Sequence, residues 1–358
     1  MTRRRIALKL AVIGLLGLVV AVFFGYRALA AGQPAISLTT SPVTLNLNIA
    51  PGSSSTQIAE VMNNGDQPLP INMEVMTFGA YGTSGEAAIT KIPASSSESS
   101  YIKLTPSSFI AQPKVWSKVQ VKINLPAGAS LGYYYAIVFQ PVYPNTEKLN
   151  GTVIHGSNAV LALINTNSSN ELKQVSVADF SISHHIFSYL PANFSVNIRN
   201  SGNIYLAPHG DIFIARNSSG TNPLATLAVN GGDGNVLPQS NRVFTASWSD
   251  GFPVYENVYK NGQPVVNTKG LPVQHLKWDF SKVNKFRFGE YYAHLIMIYN
   301  NGSRTVLLNG TLSFWVIPWG VLLPIVLIIL ILLLNAFLIG RVIYRRIISR
   351  KYPRKIKT

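Results

Sequence analysis

His184 and His185 lie near the end of one predicted strand, and His209-Gly210-Asp211 follows in a neighbouring hairpin arm. Imidazole nitrogens beside a carboxylate oxygen form the donor set of a zinc-type centre, so a meeting of these side chains would make a metal site conceivable. Adjacent residues of a strand point to opposite faces, however, so at most one of the two histidines can join. The expectation is exposed or hairpin-edge histidine, with no metal and no other cofactor. A hydrolase would need a nucleophile, a base and an orienting group, and no H-E-x-x-H run occurs. The 14 acids are scattered, with no D-x-D or E-x-x-E pair on one strand face. Glycosidase carboxylates can still converge from distant strands, which keeps a wall-polymer hydrolase as the weakest alternative; no enzyme is expected.

The aromatic residues offer binding chemistry instead. Tyr133, Tyr134 and Tyr135 are consecutive, so on a strand Tyr134 faces away from its two neighbours. One face then joins the core, and the other presents a rigid amphipathic surface. Phe252, Tyr255, Tyr259 and Trp278 fall in a long irregular segment, Asp250 to Asp279, of the kind that serves as a binding loop or as a packed lid. Tyr134, Tyr255 and Tyr259 are therefore the candidate binding surface. Six N-x-S/T sequons, at Asn150, Asn167, Asn193, Asn217, Asn301 and Asn309, permit glycosylation, but a chain this rich in Asn, Ser and Thr produces such runs by chance.

What positions these residues is set first by the chain ends. Arg3, Arg4, Arg5 and Lys9 precede an apolar run from Leu10 to Phe24, and Ala28-Leu29-Ala30 offers a small-x-small cleavage pattern. Residues 1–30 are thus expected to be a signal peptide, or an uncleaved N-terminal anchor. Trp319 to Ile339 is apolar apart from Pro324 and Asn335. At 1.5 Å per residue it spans about 31 Å, the thickness of a hydrocarbon core. Trp315 and Trp319 fall at the expected outer interface, and Arg341, Arg345 and Arg346 at the inner one, which places the C-terminus in the cytoplasm. The basic tail can also hold anionic lipid headgroups.

The charge distribution agrees with that division. The chain is formally +16, from 30 basic and 14 acidic residues, yet five basic groups lie in residues 1–30 and eight in the tail, with no acid in either. The part between is nearly neutral, so the basicity reflects topology and no nucleic-acid partner is expected. Cysteine is absent, which excludes disulfides, thiol catalysis and thiolate metal sites, and leaves stability to hydrophobic cores.

About 288 residues remain between the ends, enough for two domains. Short alternating runs separated by turn signals predict β-sandwiches. Val43 to Ile49 alternates, Ala50-Pro51-Gly52 turns, and Thr56 to Met62 returns; Asn63-Asn64-Gly65-Asp66 is a tight-turn signal before Leu69 to Phe78. Ala80 to Ser100 reads as a polar loop, followed by strands from Val115 to Leu125, Tyr133 to Val142 and Ala159 to Ile164. In the second half the runs are Phe194 to Ile198, Tyr205 to Ala215, Arg242 to Trp248, Phe286 to Tyr299 and Thr305 to Trp315, with turns at Asn200-Ser201-Gly202-Asn203 and Asn300-Asn301-Gly302.

The order of these segments resembles the exported Ig-like domains of WxL-interacting surface proteins. The resemblance is carried by the P-G turn after Ala50, the N-N-G-D turn, the Phe78-Gly79-Ala80-Tyr81-Gly82 segment and the L-P-A-G…G-Y-Y turn and strand of Leu125 to Tyr134. It covers nearly the whole chain in architecture: two Ig-like domains, one span and a basic tail. Pilus chaperones and other Ig-like domains that stack on cell surfaces share these features.

The expected layout is a mostly β chain. A signal segment occupies 1–30, tandem Ig-like sandwiches 31–170 and 171–317, a transmembrane helix 318–340 and a cytoplasmic tail 341–358. The resemblance implies a single-pass cell-membrane protein whose extracellular domains bind a cell-wall polymer or another surface protein. The alternative is a membrane-tethered chaperone for exported subunits, binding extended peptides along an edge strand.

Overall fold

The computed structural model describes residues 37–129, 131–142 and 158–351, without the side chains of 345–351. The expected signal segment, Asn150 and the end of the tail lie outside the described residues, as do the side chains of Arg345 and Arg346. Strands make up 53% of the described residues, so the fold is mostly β. The chain divides into two compact units: Met1–Gly79 with Ala88–Asn170, and Ala80–Ala87 with Glu171–Thr358.

The first unit holds β1 (Leu38–Ser41), β2 (Thr44–Asn48), β3 (Ser54–Asn63), β4 (Leu69–Tyr81), β5 (Glu86–Lys91), β6 (Ile102–Thr105), β7 (Ser108–Ala111), β8 (Trp116–Asn124), β9 (Tyr133–Pro141) and β10 (Asn158–Asn165). One sheet has the order β1-β3-β8-β6, and the facing sheet β2-β10-β9-β4-β5, with β7 also paired to β4. Two-residue periodicity builds the core: Val119, Val121 and Ile123 of β8 are fully buried, while Lys118, Gln120 and Lys122 between them are exposed. They pack with Ala59, Val61, Ile137, Phe139, Val160 and Ile164.

The second unit repeats this plan. Its strands are β11 (Val175–Ile182), β12 (Ile186–Phe187), β13 (Ala192–Asn200), β14 (His209–Ala215), β15 (Ala225–Val229), β16 (Asn241–Trp248), β17 (Val254–Asn257), β18 (Tyr259–Lys260), β19 (Gln263–Pro264), β20 (Gln274–Lys277), β21 (Gly289–Asn300) and β22 (Thr305–Val316). The sheets are β11-β13-β16 and β12-β22-β21-β14-β15, so the strands correspond one to one with β1-β3-β8 and β2-β10-β9-β4-β5. In both units the short second strand pairs in parallel with the last strand, β2 with β10 and β12 with β22. The second core is more aromatic, with Trp248, Tyr291, Phe194 and Phe314 fully buried and in ring contact.

Three segments differ from the sequence reading. The polar stretch 80–100 is not only loop: it contains β5 and a 3-10 turn over Ser97–Ser100, because hairpin pairing with β4 satisfies a backbone that the side chains leave exposed. The run from Tyr205 yields a strand only from His209 onward, Leu206 instead making an isolated bridge to Val236. The segment 250–288 is organised by two short strand pairs, β17–β20 and β18–β19, inserted where the first unit has only the short connection from β8 to β9.

Helix α1 (Trp319–Lys351) runs past the expected end at 340. The helix continues beyond Arg341, so the expected tail begins as helix. Its apolar stretch, Trp319–Tyr344, is 26 residues long and none of it is buried. At 1.5 Å per residue that is about 39 Å, long enough to cross a bilayer. Asn335 donates its side-chain amide to the Ile331 carbonyl at 2.8 Å, within its own helix.

Candidate functional site

Three consecutive tyrosines open β9, and the strand's alternation separates them. Tyr133 and Tyr135 stack with ring centroids 6.3 Å apart and planes only 6° from parallel. Tyr101 meets Tyr133 edge-on at 5.9 Å. Tyr134 turns to the other side, against Phe78 of β4 at 6.0 Å and 73°. Tyr135 is fully buried, and its hydroxyl donates to Glu98 Oε2 at 3.5 Å. Burial, reinforced by the Glu98 charge, pushes the Tyr135 phenol well above its ordinary range, so it remains a hydrogen-bond donor.

Glu98 is placed by the 3-10 turn. Ser96 caps that turn, its hydroxyl accepting from the Glu98 backbone N–H at 3.3 Å. Glu98 is among the residues lining a cleft of about 350 Å³, with Thr77, Phe78, Leu131, Gly132, Tyr133 and Tyr134. Gly132 is what lets Tyr134 lie as it does: a Cβ built at 132 would overlap the Tyr134 hydroxyl. The result is a small concavity lined by three aromatic residues and one acid. Such a site holds a ligand by face contact and orients it through a few polar atoms.

The other residues singled out from sequence do not join it. Tyr255 and Tyr259 belong to the second unit. There Tyr255 stands edge-on to Tyr189 at 6.0 Å, and Tyr259 lies 63% exposed on β18. Trp315 and Trp319 are exposed on either side of the junction between β22 and α1, and Arg341 is exposed on the helix. Among the described residues no group of three or more His, Asp or Glu could hold a metal ion, so His184, His185, His209 and Asp211 do not come together as a set. His184 instead packs edge-on to Phe187, and His185 Nδ1 lies 3.4 Å from the Ser313 carbonyl.

Two nucleophile-like spacings occur close to the cleft. Gly128-Ala129-Ser130-Leu131-Gly132 has the G-x-S-x-G spacing, but a nucleophile elbow needs a sharp strand-to-helix turn, and this run joins strand β8 to strand β9. Ser130 itself lies outside the described residues. Ser100 and Lys103 have the S-x-x-K spacing, yet the Ser100 hydroxyl donates to the Ser97 carbonyl at 2.7 Å and Lys103 sits on β6 opposite Lys122. Among the described residues no histidine lines the cleft. Glu98, by contrast, escaped the sequence reading. Its only signal was a lone acid in a serine run, and its partner Tyr135 is distant in sequence.

No family model matches the chain, and no curated protein sequence does. Solved structures similar in fold include the class 5 fimbriae chaperone CfaA, with 12% identity over 76% of this chain and 98% of that one and a TM-score of 0.34. The CsuC–CsuE chaperone–tip adhesion subunit pre-assembly complex from archaic chaperone-usher Csu pili of Acinetobacter baumannii gives 9% identity over 76% and 97%, also with a TM-score of 0.34. A chaperone–tip adhesin complex of CFA/I fimbriae gives 16% identity over 57% and 86%, at the same TM-score. At such scores these likenesses carry no functional weight.

Proposed function

We propose that this chain is a single-pass cell-surface binding protein. Its N-terminal segment directs export, α1 crosses the cell membrane with the basic tail in the cytoplasm, and the two sandwiches stand outside. The first sandwich grips its partner at the Tyr134 cleft, and the partner is a cell-wall polymer. This reading agrees with the resemblance to WxL-interacting surface proteins.

The observation that carries it is the cleft's chemistry. Tyr133, Tyr134 and Phe78 line it, with Phe78 largely buried against Tyr134, and Glu98 is its one acid. A sugar ring has flat C–H faces bordered by hydroxyl donors, which is the complement of that lining. We read the cleft as a site of binding, in which Glu98, the one acid of its lining, serves as a hydrogen-bond acceptor.

The test is retention of the purified protein on wall polysaccharide and, separately, on unfolded exported subunits. Retention on polysaccharide that falls at least tenfold in Tyr134→Ala and in Glu98→Gln supports the proposal. Capture of unfolded subunits alone, indifferent to both substitutions, would support the chaperone alternative and sink the glycan reading.

A further inference from the structure

The segment 250–288 of the second unit carries a charge imbalance that the rest of the exported part lacks. It holds six basic residues (Lys260, Lys269, Lys277, Lys282, Lys285 and Arg287) against three acids. Everywhere else between residues 31 and 340 there are eleven of each. The whole positive excess of the middle of the chain is thus confined to one insertion.

The same insertion exposes large apolar side chains. Phe280 is 71% exposed, Val283 52%, Phe288 48% and Trp278 46%. Trp278, Phe280 and Phe252 form one ring cluster, with centroids 5.5 to 6.3 Å apart. Such a group costs free energy in water and is ordinarily covered by something. The segment is also firmly held: Arg287, itself nearly buried, donates to the Asp250 carboxylate at 2.8 Å and to its carbonyl at 2.9 Å, while its guanidinium lies over the Trp248 ring. The patch is therefore presented on a fixed frame.

Its location identifies what covers it. Phe288 precedes Gly289, whose register partner is Val316, three residues before α1 begins. On the other side, Val254 bridges to Leu190, next to Tyr189, and Tyr189 stands edge-on to Tyr255. The Tyr189 hydroxyl lies only 2.6 Å from where a Cβ on Gly320 would stand, in the first turn of α1. Two routes thus lead from the patch to the start of the helix, one through the β21–β22 hairpin and one through the tyrosine pair.

We infer that the Trp278–Phe280–Phe288 patch is a lipid-docking surface, seated on anionic headgroups of the bilayer that α1 spans. The aromatic rings enter the interface, where Trp and Phe are favoured; Lys277, Lys282, Lys285 and Arg287 pair with Glu256, Asp279 and Asp250, so it is the net positive excess of the insertion, and not each cation, that draws anionic headgroups. The inference rests on the reading of α1 as a span, and goes beyond it by giving the second sandwich its own contact with the membrane.

The chain has no cysteine, so single nitroxide labels report without background. The full chain would be reconstituted in phosphatidylcholine vesicles containing phosphatidylglycerol, with labels at Phe280→Cys, Ser303→Cys and Leu332→Cys. Ser303 lies in the turn at the far end of the twelve-residue β22, about 40 Å along the strand from the helix. Docking predicts several-fold lower access of a water-soluble nickel reagent, and higher access of oxygen, at 280 than at 303. Equal values at 280 and 303, with 332 immersed in lipid, would overturn docking and leave the span standing. An aqueous signal at 332 would instead refute the span. Protection at 280 from both reagents would mean that protein covers the patch, which also overturns the inference. Equal protection at 280 in vesicles of phosphatidylcholine alone would overturn the role given to the basic residues.

Discussion

Asn63 and Asn200 make the same three hydrogen bonds in two different domains. Each ends a strand, β3 or β13, and each is almost completely buried. The Asn63 amide donates to the Gln67 and Ala111 carbonyls at 2.7 and 3.2 Å, and its Oδ1 accepts from the Gly65 N–H at 2.9 Å. The Asn200 amide donates to Ile204 and Val236 at 2.8 Å each, and its Oδ1 accepts from Gly202 at 2.9 Å. One side chain thus closes its own turn and ties it to a distant segment. With the shared strand order, this makes the two sandwiches versions of one structure.

Replacing either asparagine should destabilise its own unit. Asn63→Ala or Asn200→Ala leaves a buried N–H and two carbonyls without partners, at a cost of about 1–3 kcal/mol. Thermal unfolding followed by domain-specific probes checks it: Asn63→Ala should lower the first transition and Asn200→Ala the second. An unchanged midpoint in both would mean that the matched bonds are incidental.

Gly132→Ala separates the shape of the cleft from its stability. The added methyl displaces only the end of the flexible Tyr134 side chain, so the unfolding midpoint should stay nearly constant. Retention on wall polysaccharide should nonetheless fall toward the level of Tyr134→Ala. Wild-type retention in this variant would show that the Tyr134 pose is irrelevant to binding.

Gly210→Val should be costly by contrast. Gly210 lies in β14, and a Cβ there would run into the Ile296 carbonyl of the neighbouring β21 backbone, which has no rotamer to yield. A loss of about 2–3 kcal/mol in the second unit is expected from the resulting strain. Chemical denaturation measures it directly.

Asp250 makes the second unit acid-sensitive. Burial alone would raise its carboxyl, but hydrogen bonds and charge from Lys285 and Arg287 outweigh that and hold it below the ordinary value of 3.8. A depressed folded-state value contributes stability that is complete above the unfolded-state value and is lost as pH falls through the folded-state one. Because the site is partly exposed, the contribution is at most about 1 kcal/mol. Unfolding midpoints should therefore drop below pH 4 in the wild type, and more shallowly in Asp250→Asn. Parallel pH curves would exclude this carboxylate as the cause.

Alternation and turn chemistry made much of the β architecture legible in the sequence. Val119, Val121 and Ile123 alternate with lysine and glutamine, and Asn300-Asn301-Gly302 sits at the predicted hairpin, so period and turn agree there. Where the backbone alone decides, the sequence is silent: β5 lies in a polar stretch with no apolar face to mark it. The candidate cleft was half visible. Tyr134 stands out by alternation, whereas Glu98 reaches it only through tertiary packing around Tyr135. Phe280 and Phe288 carry no mark in the sequence either, since nothing in their spacing distinguishes an exposed ring from a buried one.

The junction between the second sandwich and its helix has a mechanical consequence. The last sheet bonds, Trp315 N–H to His185 and Ile317 N–H to Phe187, end two residues before α1 starts. Because β22 is held by β12 on one side and β21 on the other, tension drawn through the helix runs along the strand and loads both ladders in shear. Bonds sheared together must break together, while an edge strand pulled from its end opens one bond at a time. A load applied through α1 therefore meets a strand held on both sides, and the second sandwich should resist it longer than a domain pulled from an edge strand.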